Sequence, residues 1–327
     1  MKIAVTGASG QIGFTLCEEL EKQGNTLKIL VHNHSKSLDQ LKAEKVKGST
    51  TNPEDLLRLT EGVDVVFHLA AIVSINGDPG GMLESVNVGG TANMIEACRV
   101  NKVKRLVHFS SVHAYKSTPL DKPMTEDNEL SDHTCFLYEQ SKAKAQKLVQ
   151  EAARRGDINA VIVNPTAVIG PNDWLPSIKG NMLIDFYNQK IPAITPGGFD
   201  WVDTRDVVDG AIAAMEKGRN GESYILSGKF YTVKALSSLI GEVTGKKTPQ
   251  LIIPFWVLQL SLPFILLWSK VTKTEPLFTK ESIGILMVAN ANVSHKKAAS
   301  ELGYKSRPLS ETLADTYSWL KKNNYIS

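Results

Sequence analysis

The stretch KIAVTGASGQIG (2–13) joins an apolar strand-like run to a helical pattern through three glycines. No other feature constrains the fold as tightly. A glycine loop at such a junction leaves backbone N–H groups exposed at a helix N-terminus, where the helix dipole favours an anion. Gly7 suits a tight turn, Gly10 suits close approach of a bound group, and Gly13 suits close packing of helix on strand. Gln11 and Ile12 complete the candidate cradle. The GxxGxxG spacing is one residue longer than the commonest dinucleotide fingerprint. A bare glycine triplet is only a turn, but between a first strand and a first helix it points to a nucleotide pyrophosphate.

The rest of the first half repeats this texture. Apolar runs at 27–31 (LKILV), 64–70 (DVVFHLA), 105–111 (RLVHFSS) and 160–165 (AVIVNP) show little alternation, as strands buried on both faces do. Helical patterns lie between them, such as 11–24, closed by Gly24, and 82–101. This order predicts an α/β fold, a Rossmann-type doubly wound parallel sheet with helices on both faces. After NPTAVIGP (164–171) prolines become frequent and strands sparse. A dinucleotide-binding domain over 1–170 and a smaller, mostly helical substrate domain over 171–327 follow, with 204–228 expected to return to the first sheet.

Composition narrows the function classes. A net charge of +3 over 327 residues, with no basic run, argues against a nucleic-acid partner. Three scattered cysteines without a CxxC pair suit a reducing compartment, and no histidine motif suggests a metal. The N-terminus enters a strand at once, which leaves no room for a signal peptide and makes the cytoplasm the expected location. One segment stands out: LIIPFWVLQLSLPFILLW (251–268), interrupted by Pro254 and Pro263 with Gln259 near its centre. It reads as a helix of a lipophilic binding site or a subunit interface, with peripheral membrane contact as the other reading.

The end of the second strand bears on the dinucleotide. A carboxylate there would bind the ribose 2′-OH of NAD and repel a 2′-phosphate. This chain has LVHNHSKS (30–37), with no acid before Asp39, while His32, His34 and Lys36 supply donors and positive charge. NADP is therefore expected, with NAD as the alternative.

Five motifs in order, TGASGQIG, HLAA (68–71), NVGGT (87–91), FSSVHAY (109–115) and YEQSK (138–142), resemble the extended short-chain dehydrogenase/reductases, the NAD-dependent epimerase/dehydratase superfamily. Within it the chain looks most like dihydroflavonol reductase-like proteins, including a hopanoid-associated group. The resemblance implies Ser111, Tyr138 and Lys142 as the catalytic group, with Ser111 preferred to Ser110. It implies that Leu69, Ala70 and Ala71 line the cofactor, that Asn87 braces the site, and that Pro165 to Val168 pass the nicotinamide. Gly48-Ser49 departs from the Gly-Asp of many relatives. A homodimer is common among similar proteins.

The spacing of Tyr138 and Lys142 puts both on one helix face. A phenol titrates near ~10, and an adjacent ammonium is expected to lower that value toward neutrality. Ser111 would hydrogen-bond the substrate oxygen. His113 either faces substrate or is a satisfied loop residue. The same group serves reductases and nucleotide-sugar epimerases, so the second domain has to discriminate. Where many epimerase relatives carry an arginine, this chain has Phe199, and no arginine occurs between Arg219 and Arg307. Both facts favour an uncharged, lipophilic carbonyl or alcohol. Asn164, which looks like a diphosphate ligand of epimerases, and the lysines between 229 and 297 speak for the alternative. A non-catalytic cofactor sensor is a third class, but such relatives commonly lose the tyrosine or the lysine, and both are kept here.

Overall fold

The computed structural model of the protein describes residues 1–33, 36–74, 77–272, 279–287 and 289–327. In chain order the first part holds β1 (Lys2–Thr6), α1 (Gln11–Lys22), β2 (Thr26–Val31), β3 (Glu44–Lys47), α2 (Pro53–Thr60) and β4 (Val65–His68). A π-helical segment (Leu83–Gly89) then runs into α3 (Gly90–Val100), followed by β5 (Arg105–Phe109), α4 (Leu137–Arg155) and β6 (Ala160–Pro165). The later part holds β7 (Ala167–Ile169), α5 (Ile178–Tyr187), β8 (Gly198–Asp203), α6 (Thr204–Lys217), β9 (Ser223–Leu226), β10 (Lys229–Thr232) and α7 (Val233–Thr244). It closes with α8 (Phe255–Thr272), α9 (Lys280–Met287), α10 (Lys296–Leu302) and α11 (Leu309–Lys322).

Seven strands form one parallel sheet in the order β3-β2-β1-β4-β5-β6-β9. The doubly wound sheet expected from the apolar runs is therefore present. Alternation along each strand explains why those runs are mostly apolar. Ile3 and Val5 of β1 pack with Phe14, Leu16 and Leu20 of α1 and with Val207 and Ala211 of α6. Ala4, between them, faces Leu56 and Leu59 of α2 and Met94 of α3 on the opposite side. Both faces are covered, so both sets of side chains are mostly apolar.

The chain leaves this sheet after Pro165. β7, β8 and β10 build a three-stranded sheet of their own, with β10 antiparallel to β8. Helices α5, α7 and α11 pack there around Leu183, Ile240 and Leu313. From β8 the chain runs through α6 back to the large sheet, where β9 pairs with β6 from Ile162↔Ser223 to Pro165↔Leu226. The edge strand β3 was not apparent as an apolar run, because EKVK is largely exposed. Helix α8 covers most of the apolar segment 251–268. Among the described residues, no helix is long and apolar enough to cross a membrane.

Candidate active site

All strands of the large sheet are parallel, so their C-terminal ends emerge along one edge, where open α/β sheets bind ligands. That edge brings together the glycine loop after β1, His32 and Lys36 after β2, Leu69 to Ala71 after β4, Ser111 after β5, and Pro165 with Val168 after β6. His32 and Lys36 are exposed there, whereas His34 lies outside the described residues.

The glycine loop is shaped by backbone, not side chains. Gly7 has φ +76°, and a Cβ there would lie 2.8 Å from the Ala70 nitrogen. A Cβ on Gly13 would lie 2.2 Å from the Gly7 carbonyl oxygen, so α1 can sit this close to the loop only without one. Among the described residues, a Cβ on Gly10 would come nearest to the Gly7 oxygen, at 3.4 Å. Gly10 provides no side-chain cap for α1, which leaves the first-turn N–H groups available to an external acceptor. These features fit a dinucleotide pyrophosphate. The Gln11 side chain is directed elsewhere, donating to the Gly170 and Pro171 carbonyls and tying α1 to the end of β7.

Next to the loop runs a buried polar chain. The Ala70 N–H donates to Thr6 Oγ1 (3.1 Å), which meets His68 Nδ1 at 2.8 Å. His68 Nε2 lies 3.4 Å from Thr91 Oγ1, and that hydroxyl donates to the Asn87 carbonyl (2.7 Å). Burial and the nearby Lys142 charge pull His68 down to about 3, so it is neutral with its proton on Nε2. Asn87, in the π-helical segment, accepts from Ile72 N–H (2.8 Å) and donates to Ile72 O (3.0 Å) and Ser141 Oγ (3.0 Å). It thus fixes the loop after β4 to the helix that carries Lys142.

Tyr138 and Lys142 occupy the first turns of α4. Of the adjacent serines, Ser111 is the one whose hydroxyl acts on the Tyr138 phenol, whereas the buried Ser110 hydroxyl has no hydrogen-bond partner among the described residues. Ser111 Oγ also accepts from His113 N–H at 3.2 Å. Lys142 is buried and donates to the Phe109 carbonyl at 2.9 Å. Burial pulls its ammonium down to about 8. The phenol moves opposite to the sequence expectation. Tyr138 as a residue is half-buried, yet desolvation at its hydroxyl outweighs the Ser111 bond and pushes it up to about 12. The ammonium is not among the groups that shift it; one turn of helix is not enough when Lys142 is turned toward the Phe109 carbonyl.

Beside this group opens a cavity lined by His113, Glu139, Phe199, Asp200, Asn290 and Val293, among others. His113 meets Glu139 at 3.4 Å and stands edge-on to the Tyr138 ring, with centroids 6.1 Å apart. Asp200 Oδ1 accepts from Thr166 Oγ1 and Gly228 N–H, both at 2.7 Å, and burial pushes its carboxyl up to about 6. Among the described lining residues there is no lysine or arginine. Arg205 and Arg307 are engaged in ion pairs, Arg205 with Asp203 and Asp315 and Arg307 with Asp206, each at 2.7 Å.

The geometry bears on two sequence readings. Among the described residues, none between 251 and 265 lines this cavity, while Gln259 of α8 reaches Met287 of α9 at 3.8 Å. Asn164 is fully buried and donates to Ser111 O (2.8 Å) and Gln146 Oε1 (2.7 Å), so it holds Ser111 from beneath and does not reach a ligand. Gln146 in turn donates to Tyr115 OH at 3.0 Å. Gln146 was overlooked, although its position four residues beyond Lys142 marks the same inward face of α4.

A family model described as the NAD dependent epimerase/dehydratase family matches residues 3–227. The chain belongs to that family. It is thereby an enzyme of the extended short-chain dehydrogenase/reductase type. Sterol demethylase protein B of Methylococcus capsulatus is 31% identical over the whole of both chains. A putative dihydroflavonol 4-reductase of Synechocystis is 29% identical over 98% of this chain and 95% of that one. The crystal structure of gox2253 superposes with a TM-score of 0.86 at 28% identity, covering 99% of each chain. The family's dependence on NAD agrees with the glycine loop, and its sheet is the one described above.

Proposed function

We propose that the protein is an NADP-dependent reductase of a small lipophilic carbonyl compound, or in reverse a dehydrogenase of the alcohol, with Ser111, Tyr138 and Lys142 as its catalytic group. The observation that carries the choice of substrate class is the cavity wall. Glu139 and Asp200 face it and no cation does, among the described residues. A nucleotide-sugar diphosphate would bring two negative charges to two carboxylates with no arginine fork to hold them. Phe199, edge-on to Trp201 at 5.6 Å, offers an aromatic surface instead. Relatives named for a sterol reaction and a flavonol reduction support the same class.

When bound, the dihydronicotinamide is the source of the hydride. The Tyr138 phenol, protonated at neutral pH, donates a proton to the carbonyl oxygen. Ser111 donates a hydrogen bond to that oxygen as charge grows on it. Lys142 would hold the nicotinamide ribose with its ammonium. Because its ammonium is present below about 8 and lost above it, kcat/KM for reduction is expected to fall on the alkaline side with an apparent pKa near 8. A profile that stays level from pH 7 to about 10 would count against Lys142 in this role.

NADP in preference to NAD is supported by the second strand. The first acid after β2, Asp39, pairs with Lys45, leaving exposed His32 and Lys36 at the strand end. NADPH should be favoured over NADH by about tenfold in kcat/KM, and Lys36→Ala should reduce that preference by roughly threefold, the size of an exposed charge contact. The free Cys17, Cys98 and Cys135 support a reducing compartment, the cytoplasm.

Purified protein mixed with NADPH and a panel of aldehydes and ketones tests the reading, followed by absorbance at 340 nm. Turnover with apolar ketones is expected. Silence there, with thermal stabilisation by UDP- or dTDP-sugars, would move the assignment to an epimerase or dehydratase.

A further inference from the structure

Helix α8 presents an apolar face where a surface helix ordinarily presents a polar one. Leu258 is buried, but Trp256, Leu260 and Phe264 are 63%, 67% and 75% exposed. With Pro263 they follow helical spacing along one stripe, and Leu251, Ile252 and Met287 are exposed as well. Gln259, exposed on this stripe, reaches the Met287 sulfur at 3.8 Å. An apolar stripe of this kind, carrying tryptophan and phenylalanine, marks an interaction surface.

Charge indicates what covers it. Between Glu242 and Glu275 the sequence has no acidic residue, while Lys246 and Lys247 precede the apolar run and Lys270 and Lys273 follow it. Lys246 and Lys247 are exposed. A protein partner would not require this one-sided charge, but the headgroups of an anionic bilayer would. Trp, Leu and Phe between basic flanks form the pattern of a helix lying in a membrane interface, and α8 is not a span. Helix α9 connects this surface to the catalytic end of α4, since it meets α8 at Met287 and its Gly284 abuts the Phe136 ring, two residues before Tyr138.

We infer that α8 docks the enzyme on an anionic phospholipid surface, burying Trp256, Leu260 and Phe264 at the headgroup boundary, with the basic residues that flank the run in sequence facing the lipid charge. The inference goes beyond the catalytic reading and does not depend on it. Sedimentation of the full chain with vesicles containing about 30 mol% phosphatidylglycerol in phosphatidylcholine should carry most of the protein down, and pure phosphatidylcholine vesicles should carry down several-fold less. The double substitution Leu260→Glu with Phe264→Glu should reduce binding by about tenfold or more. The milder Phe264→Ser should reduce it partially with an unchanged melting temperature. Turnover of a water-soluble carbonyl should be the same in the variants as in the wild type, which separates docking from catalysis. Three outcomes overturn the inference: no binding to either vesicle, equal binding to both, or binding that the Glu substitutions leave intact. A dimer in light scattering that the Glu substitutions dissociate, without vesicle binding, would assign the face to a second copy of the chain instead.

Discussion

Replacing Tyr138 with phenylalanine is expected to lower kcat for carbonyl reduction by about 10³-fold while leaving NADPH affinity within roughly threefold of wild type. The substitution removes the proton donor and keeps the ring that stands edge-on to His113. The melting temperature should move little, because losing one side-chain polar interaction, here with Ser111, costs about 1 kcal/mol. Ser111→Ala should cost about 10²-fold in kcat, the usual effect of removing one donor to a developing oxyanion. The double variant should be no slower than Tyr138→Phe by more than a small factor, since the two act as one unit. Stopped-flow and steady-state measurement at 340 nm reads both. A Tyr138→Phe enzyme that keeps more than about a tenth of its turnover would remove the phenol from the mechanism.

The glycine loop gives the second large effect, and here two glycines should behave differently. Gly13→Ala would set a methyl 2.2 Å from the Gly7 carbonyl oxygen. Helix α1 must then retreat from the loop, at a cost of about 1–3 kcal/mol in stability and at least about 100-fold in cofactor affinity. Gly10→Ala meets protein only at 3.4 Å, so the fold should tolerate it. Its methyl instead occupies the space above the first turn of α1, and cofactor affinity should fall by about tenfold with the melting temperature nearly unchanged. Calorimetric titration with NADPH alongside thermal unfolding distinguishes the two. Equal melting temperatures for the two variants would contradict the close packing of α1 on the loop.

The fold was legible in the sequence wherever burial on both faces forced continuous apolar runs, as in β1, β4, β5 and β6. It was not legible in β3, whose EKVK lies at an exposed edge and has no such requirement. The π-helical turn of Leu83–Gly89 was hidden for another reason: a hydrogen-bond register shift leaves no mark on composition. For the site, helical spacing was enough to put Tyr138 and Lys142 on one face. It could not give the direction of the phenol's pKa, which depends on how much water the surrounding chain removes and on where the Lys142 ammonium turns. Asn164 illustrates the same limit. Its residue type suits a ligand contact, but its position beneath Ser111 is set by α4, which brings Gln146 to it.

The return of β9 to the large sheet has a consequence for how this enzyme can be divided or recombined. A fragment ending near residue 170 would keep the glycine loop and the Tyr138 helix, but β6 would become a bare edge with its outer backbone groups unpaired. It would also lose α6, whose Val207 and Ala211 cover the β1 side of the sheet. No single cut therefore yields two self-sufficient halves. A chimera that borrows another relative's ligand-recognising part has to splice the backbone on both sides of α6–β9, so the two functions are braided along the chain rather than joined end to end.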